Sequence, residues 1–172
     1  MPLEDLQALV KHARKRPLWE AGATTREMQV GRADIERMLP HRDPFLFVDG
    51  ITAVDREQGG MRGRRSISPE DPVFQGHFPG RPIYPGVLQI ETMGQLGVCL
   101  AHVWRNAHAP TDVRALKVHH AVFQDVVLPG DELTILARLL EANDYTAICA
   151  GQLLKPDGSV PAVAVMEVYF VD

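Results

Sequence analysis

The run from Val87 to Trp104, VLQIETMGQLGVCLAHVW, sets the terms for everything else in the chain. It is long enough for about five helical turns at ~3.6 residues each. Its apolar residues cover nearly every face, as in a helix buried on all sides. A chain that makes such a helix must wrap further structure around it. Glu91 falls inside the run, and a buried, unpaired carboxylate tends to neutralise rather than stay charged. Its presence there calls for a chemical reason. Just upstream, GHFPGRPIYPG (Gly76–Gly86) carries His77 in a loop dense in proline and glycine. Proline fixes φ and glycine opens φ > 0, so this loop is stiff and can bring backbone N–H groups close to a ligand.

The 172 residues suffice for one well-buried core, and 45% apolar with 23% charged residues is a globular balance. A net charge of −4 carries no nucleic-acid footprint. Cys99 and Cys149 are the two cysteines and have no CxxC spacing. They predict neither a disulfide framework nor a zinc site, and their apolar surroundings predict inert, buried thiols. Gln89, Glu91, Gln95 and His102 interrupt the apolar run, which makes it a core helix rather than a membrane span. With neither a signal peptide nor a membrane span expected, the cytoplasm is the default location.

Residues 1–30 read as an N-terminal arm and residues 31–172 as the main domain. Residues 3–16 predict an amphipathic helix with Leu3, Leu6, Leu9 and Val10 on one stripe, acids early and bases late. Its expected role is to pack against its own or a partner subunit, the alternative being a membrane- or carrier-docking helix on its basic end. Pro17 and Gly22 break the pattern, so 17–30 reads as a connector. Asp34 is the expected N-cap of a short turn ending before Pro40. His41 and Arg42 read as structural, since neither a carboxylate partner nor a helix N-terminus is evident for them. Phe45–Asp49 and Ile51–Val54 read as strands, with a hairpin at Gly59-Gly60 and a returning strand over Met61–Ile67. Arg62, Arg64 and Arg65 read as the solvated edge of that strand. After a polar connector at 105–112, strands are expected at Arg114–Phe123, Glu132–Glu141, Tyr145–Lys155 and Ala162–Val171. Pro129-Gly130-Asp131 and Asp157-Gly158 mark turns between them. A long helix bracketed by antiparallel strands is an α+β pattern, in which a curved sheet wraps the helix.

Three motifs, LPHRDPFLFVD (Leu39–Asp49), HFPGRPIYPGV followed by ETMGQ (His77–Gln95), and LPGDEL (Leu128–Leu133), occur in that order. Together they resemble the FabZ type of (3R)-hydroxyacyl-acyl-carrier-protein dehydratase of bacterial fatty-acid synthesis. The resemblance spans roughly Ile35 to Asp172 and leaves the arm uncovered. It implies the hotdog fold and dehydration of a 3-hydroxyacyl thioester to the trans-2-enoyl thioester. It also implies an acidic acyl-carrier protein as partner, a homodimer with a trimer of dimers open as a higher assembly, and no cofactor or metal.

Such a dehydration needs a base at C2, an acid for the departing hydroxyl and donors for the thioester oxygen, where charge grows. His77 titrates near neutrality and can be the base. Glu91, in an apolar helix, is expected to have a raised pKa and so to hold a proton for the hydroxyl. The Gly86 N–H at the helix N-terminus can face the thioester oxygen, and Gln95, at i+4, can orient the Glu91 carboxyl. The family's catalytic pair falls on His77 and Glu91 and its oxyanion donor on Gly86. Phe78 and Arg81 complete the substrate-binding set. The resemblance further implies that each pair draws on both subunits. His102, His108, His119 and His120 have no metal-ligand spacing with acids. One departure concerns the partner: where the family carries a basic run at the tunnel mouth, this chain reads Val122-Phe123-Gln124-Asp125. Arg81 and Lys117 are candidates to compensate, a CoA thioester is an alternative substrate, and the arm points to a specialised pathway. Glutamate rather than aspartate at 91 leans against isomerisation of the enoyl product. The competing readings are a hotdog thioesterase, using Glu91 as ionised base or nucleophile, and a non-catalytic acyl-thioester binder.

Overall fold

From the N-terminus the chain forms helix α1 (Leu3–Ala13), strand β1 (Arg26–Val30), helix α2 (Arg32–Met38) and strands β2 (Gly50–Asp55) and β3 (Gly60–Ser66). A 3-10 turn at Pro72–Gln75 leads into the long helix α3 (Gly86–Arg105). Strands β4 (Val113–Phe123), β5 (Glu132–Ala142), β6 (Thr146–Leu154) and β7 (Ala162–Phe170) complete the chain. The structure, a computed structural model, describes residues 3–171.

The strands form one antiparallel sheet in the order β1-β2-β3-β5-β6-β7-β4, with register shifts in the β1–β2, β2–β3, β4–β7 and β5–β6 pairings. Bulges of this kind bend a sheet and sharpen its twist. Its inner face receives α3, whose Met93, Leu96, Cys99 and Leu100 join Met61, Ile135, Leu153, Ala162 and Ala164 in the main core. This is the hotdog arrangement. Burial pushes the Cys99 and Cys149 thiols up to about 12, so both are inert, as expected.

Helix α1 covers the opposite face. Leu6, Val10 and Ala13, with Leu18 and Trp19 beyond the helix, pack on Ala53, Leu136, Ala150, Val163 and Val165. The side chain of Leu3 lies outside the described residues. Strand side chains alternate between faces, and in β7 Ala162, Ala164 and Met166 go to α3 while Val163 and Val165 go to α1. With both faces covered, β7 is apolar without alternation. The buried amide of Gln152 locks the arm in place, accepting from Leu18 N at 2.7 Å and donating to Arg16 O at 2.8 Å. The arm therefore packs on its own chain.

Several local expectations are corrected. The stretch 17–30 contains β1, which pairs with β2. Gly31, not Asp34, is the N-cap of α2, and Asp34 instead pairs within the helix with Arg37. Phe45–Asp49 is not a strand: Gln95 of α3 takes Phe45 O and Phe47 N, and only at Asp49 does the backbone reach β3, its N–H donating to Arg64 O at 3.0 Å. The arginines of β3 do not sit on an edge, since β3 lies between β2 and β5. Arg65 is buried, 3.1 Å from Asp49 and over the Phe47 ring, and Arg62 meets Glu27. Nor is α3 buried on all sides: Val87 is 71% exposed and Trp104 44%, because one chain's sheet leaves a stripe of the helix open.

The helix approaches the sheet most closely at Gly151, where a Cβ would lie 2.6 Å from Met93 Cβ. Both atoms are fixed to backbone, so Gly151→Ala must separate helix from strand. The expected cost is about 1–3 kcal/mol, read as a lower urea midpoint at unchanged slope.

Candidate active site

The open stripe of α3, formed by Val87, Ile90, Glu91 and Gly94 and closed at its inner end by buried Val98, faces β4 and the end of β7 across a cleft of about 500 Å³. Its lining is mainly apolar, and Glu91 is the carboxylate that α3 contributes to it. Gln95, one turn on, donates from Nε2 to Glu91 Oε1 at 2.9 Å and to Phe45 O at 3.0 Å. Its Oε1 accepts from Phe47 N at 2.7 Å, which settles the orientation of the amide. The orienting role expected of Gln95 is thus met by geometry, and the same amide holds the loop of the first motif against the helix.

His41 is the residue that sequence reasoning missed. Its Nε2 lies 3.4 Å from Glu91 Oε1, and it lines the same cleft. The signal was present in the LPHR motif, but the carboxylate that gives His41 its role stands far along the chain. This neighbour also overturns the expected raised pKa of Glu91. The hydrogen bond from His41 pulls the carboxyl below its ordinary value, burial opposes this, and Gln95 adds to the lowering. Desolvation loses because the carboxylate is only partly buried and has two polar partners.

His77 sits in the loop between the 3-10 turn and α3. Its Nδ1 is 2.8 Å from Ile83 O. A carbonyl only accepts, so Nδ1 carries the proton and Nε2 is left as a free base. The backbone holds the residue twice more, through His77 N to Val73 O and Ile83 N to His77 O, both at 2.9 Å. Phe78 stacks on the imidazole at 4.1 Å between centroids and is itself half exposed. Arg81 is exposed at the end of the tight turn that begins at Phe78.

Gly86 opens α3 after the N-cap Pro85, and its N–H is one of the helix amides with no intrahelical acceptor. Phe123, at the end of β4, lies so close that a Cβ on Gly86 would be 2.9 Å from its ring. The structure therefore brings Glu91 and Gln95 together with His41. His77 is not among the residues lining the Glu91 cleft of its own chain. Among the other histidines, His119 pairs with Glu167 at 2.7 Å and His102 Nδ1 is 3.0 Å from Thr111 Oγ1. Among the described residues no group of three His, Cys, Asp or Glu side chains could hold a metal ion, and no helix is long and apolar enough to cross a membrane.

The family model of the FabA-like domain matches residues 39–164, most of the chain. The chain belongs to the FabA-like family. Among its FabA-like relatives, a 3-hydroxyacyl-[acyl-carrier-protein] dehydratase FabZ of Xanthomonas euvesicatoria pv. vesicatoria is 35% identical over 139 residues, covering 80% of this chain and 91% of that one. The FabZ of a Nitratiruptor species is 33% identical over 144 residues, covering 81% and 96%. Among solved structures, the dehydratase heterocomplex ApeI:P from Xenorhabdus doucetiae superposes with a TM-score of 0.64 at 21% identity, over 80% of this chain and 91% of that one. At that identity it shows the fold. The FabA-like match begins at the LPHR motif and ends inside β7, so α1 and β1 lie outside it.

A carboxyl held low in the folded state stabilises the fold above its unfolded pKa, and this contribution is lost as pH falls through the folded value. Replacing His41 with alanine in this FabA-like chain removes the largest cause of the lowering. The Glu91 carboxyl should then titrate at higher pH, followed by carbon-13 NMR of labelled glutamate. The acid limb of the stability profile should move the same way. An unmoved Glu91 resonance would separate the two side chains.

Proposed function

We propose that the chain removes water from (3R)-3-hydroxyacyl thioesters carried on acyl-carrier protein, giving the trans-2-enoyl thioester, and that it works as a homodimer. The observation that carries this reading is Glu91: a carboxylate oriented by Gln95 inside an apolar cleft on the open stripe of α3. The names of the FabZ relatives supply the substrate class.

His77 Nε2, free because Nδ1–H is engaged by Ile83 O, takes the proton from C2. Charge moves onto the thioester oxygen, where the Gly86 N–H at the start of α3 stabilises it. The C2–C3 double bond forms as the C3–O bond breaks, and the departing oxygen takes a proton from the Glu91 carboxyl, leaving as water. Glu91 must be neutral for that step, although His41 and Gln95 hold it low in the open cleft. An acyl chain filling the cleft expels water and favours the neutral carboxyl. His77 returns its proton to Glu91 before the next turnover.

Placement supports the second subunit. His77 does not line its own chain's Glu91 cleft, and the cleft's far wall is β4, the last strand of the sheet. Strand β4 is long and has Leu116 and Val118 exposed on an unpaired edge. A second copy paired along that edge covers it and closes the cleft.

Incubation with trans-2-enoyl thioesters on carrier protein, on CoA and on pantetheine, followed by mass spectrometry, should show water addition. Loss of the acyl group from the thioester instead would make the protein a thioesterase. His77→Ala and Glu91→Gln should each lower turnover by roughly 10²–10⁴-fold in folded protein, and the double variant should lose far less than the product. Mixing the two variants with subunit exchange should restore activity in heterodimers, since one site then has both residues. Exchange confirmed by mass with activity still at the parental background would mean that His77 and Glu91 do not act across subunits.

A further inference from the structure

Helix α1 lies outside the FabA-like match, and its last turn with the three residues that follow reads KHARKR, from Lys11 to Arg16. Lys11, Arg14, Lys15 and Arg16 are exposed, while Ala13 between them is buried on the sheet. A helix C-terminus favours cations through its dipole, but that effect needs no particular neighbour. Here the neighbour is specific. Arg14 Nε donates to Gln124 Oε1 at 2.7 Å, and Gln124 Nε2 donates back to Arg14 O at 2.9 Å. Gln124 directly follows Phe123, the ring lying against Gly86 at the N-terminus of α3. One glutamine thus joins the basic cluster to the rim of the helix end where the thioester is placed. The next rim residue, Asp125, shares a single cation with Asp131, for Lys155 lies 3.5 Å from it and 3.2 Å from Asp131, so this side of the rim keeps one net negative charge.

We propose that this basic end of α1 is the docking surface for the carrier protein, an acidic helical domain presenting its acyl group on a phosphopantetheine arm. The inference rests on the dehydratase reading above. Charge complementarity selects this occupant. The rim residues Val122–Asp125 carry no cation, and the chain as a whole has a net charge of −4, so neither attracts an acidic partner. The arm places positive charge beside the rim and is locked there by the buried Gln152 amide and by Gln124. Charges at a rim act mainly on association rate and salt sensitivity. The arm therefore acts at encounter and leaves the chemistry at His77 and Glu91 alone.

The test is the triple variant Lys11→Gln/Lys15→Gln/Arg16→Gln, with Lys11→Glu/Lys15→Glu as a second form, neither touching the packed face of α1. Kinetics are compared on bacterial holo-acyl-carrier protein bearing an enoyl group and on the matching pantetheine thioester. The expected result is a KM on carrier-linked substrate raised roughly tenfold or more, with a flatter salt dependence, and unchanged kcat/KM on the pantetheine thioester. Equal effects on both substrates, or none on either, would overturn the docking role. So would Arg81→Glu reproducing the carrier-specific loss while the arm variants do not. Direct binding of holo-acyl-carrier protein, followed by calorimetry, separates the two readings. Wild type inactive on every thioester removes the dehydratase function, whereas unchanged carrier affinity in the arm variants removes the docking surface. Arm-dependent binding to phosphatidylglycerol vesicles with intact carrier kinetics would assign the cluster to a membrane surface instead.

Discussion

An apolar helix of the length of α3 is stable in water only under cover, and the sheet that covers it is built from one chain of limited length. Strands β3, β5, β6 and β7 reach most of its surface, and the Met93–Gly151 contact brings helix and sheet close. What they leave partly open is the stripe through Val87, Ile90, Glu91 and Gly94, with buried Val98 at its inner end. The cleft is therefore a consequence of incomplete wrapping. An open apolar stripe ending in an unpaired strand suits an extended acyl chain and a second subunit at once, and the two requirements reinforce each other. In the proposed reaction, an acyl chain filling the cleft would remove water from Glu91 and favour its neutral form.

Within that frame the Gln95 amide links stability to chemistry. It is buried, and each of its polar atoms has a partner: Phe47 N on one side, Phe45 O and Glu91 on the other. A buried amide left half satisfied would be costly, so the network works as a unit. It holds the irregular segment Phe45–Phe47 to the helix, on the same loop that carries His41 to the carboxylate. Arg65, buried between Asp49 and the Phe47 ring, steadies that segment from the sheet side.

The outer face of the sheet follows the same logic. Val163 and Val165 would be exposed without α1, and the arm covers them with a helix whose far end is free to carry charge. In the proposed docking role, packing falls to one side of this short arm and recognition to its basic end. Gln152 and Gln124 each tie a particular backbone position of the arm to the sheet, which fixes where the charges stand.

Much of this was legible in the sequence because it is local. The apolar run announces α3, the proline-rich loop announces a stiff seat for His77, and the i+4 spacing of Glu91 and Gln95 places them on one helix face. Glycines at positive φ mark the hairpins at 59 and 158 and the turn at 130 between β4 and β5, all of which a linear reading finds. The failures share one cause, contact between residues far apart in the chain. His41 meets Glu91 from a distant part of the sequence, so its role and the lowered carboxyl pKa could not be read from neighbours. The β3 arginines look like an edge until β2 and β5 flank them, and Phe45–Asp49 looks like a strand until Gln95 takes its backbone groups. Local pattern determined which residues the chain places in a helix, a turn or a strand. Only the tertiary structure decided which polar groups face one another, because burial and electrostatics depend on distance in space and not on separation along the chain.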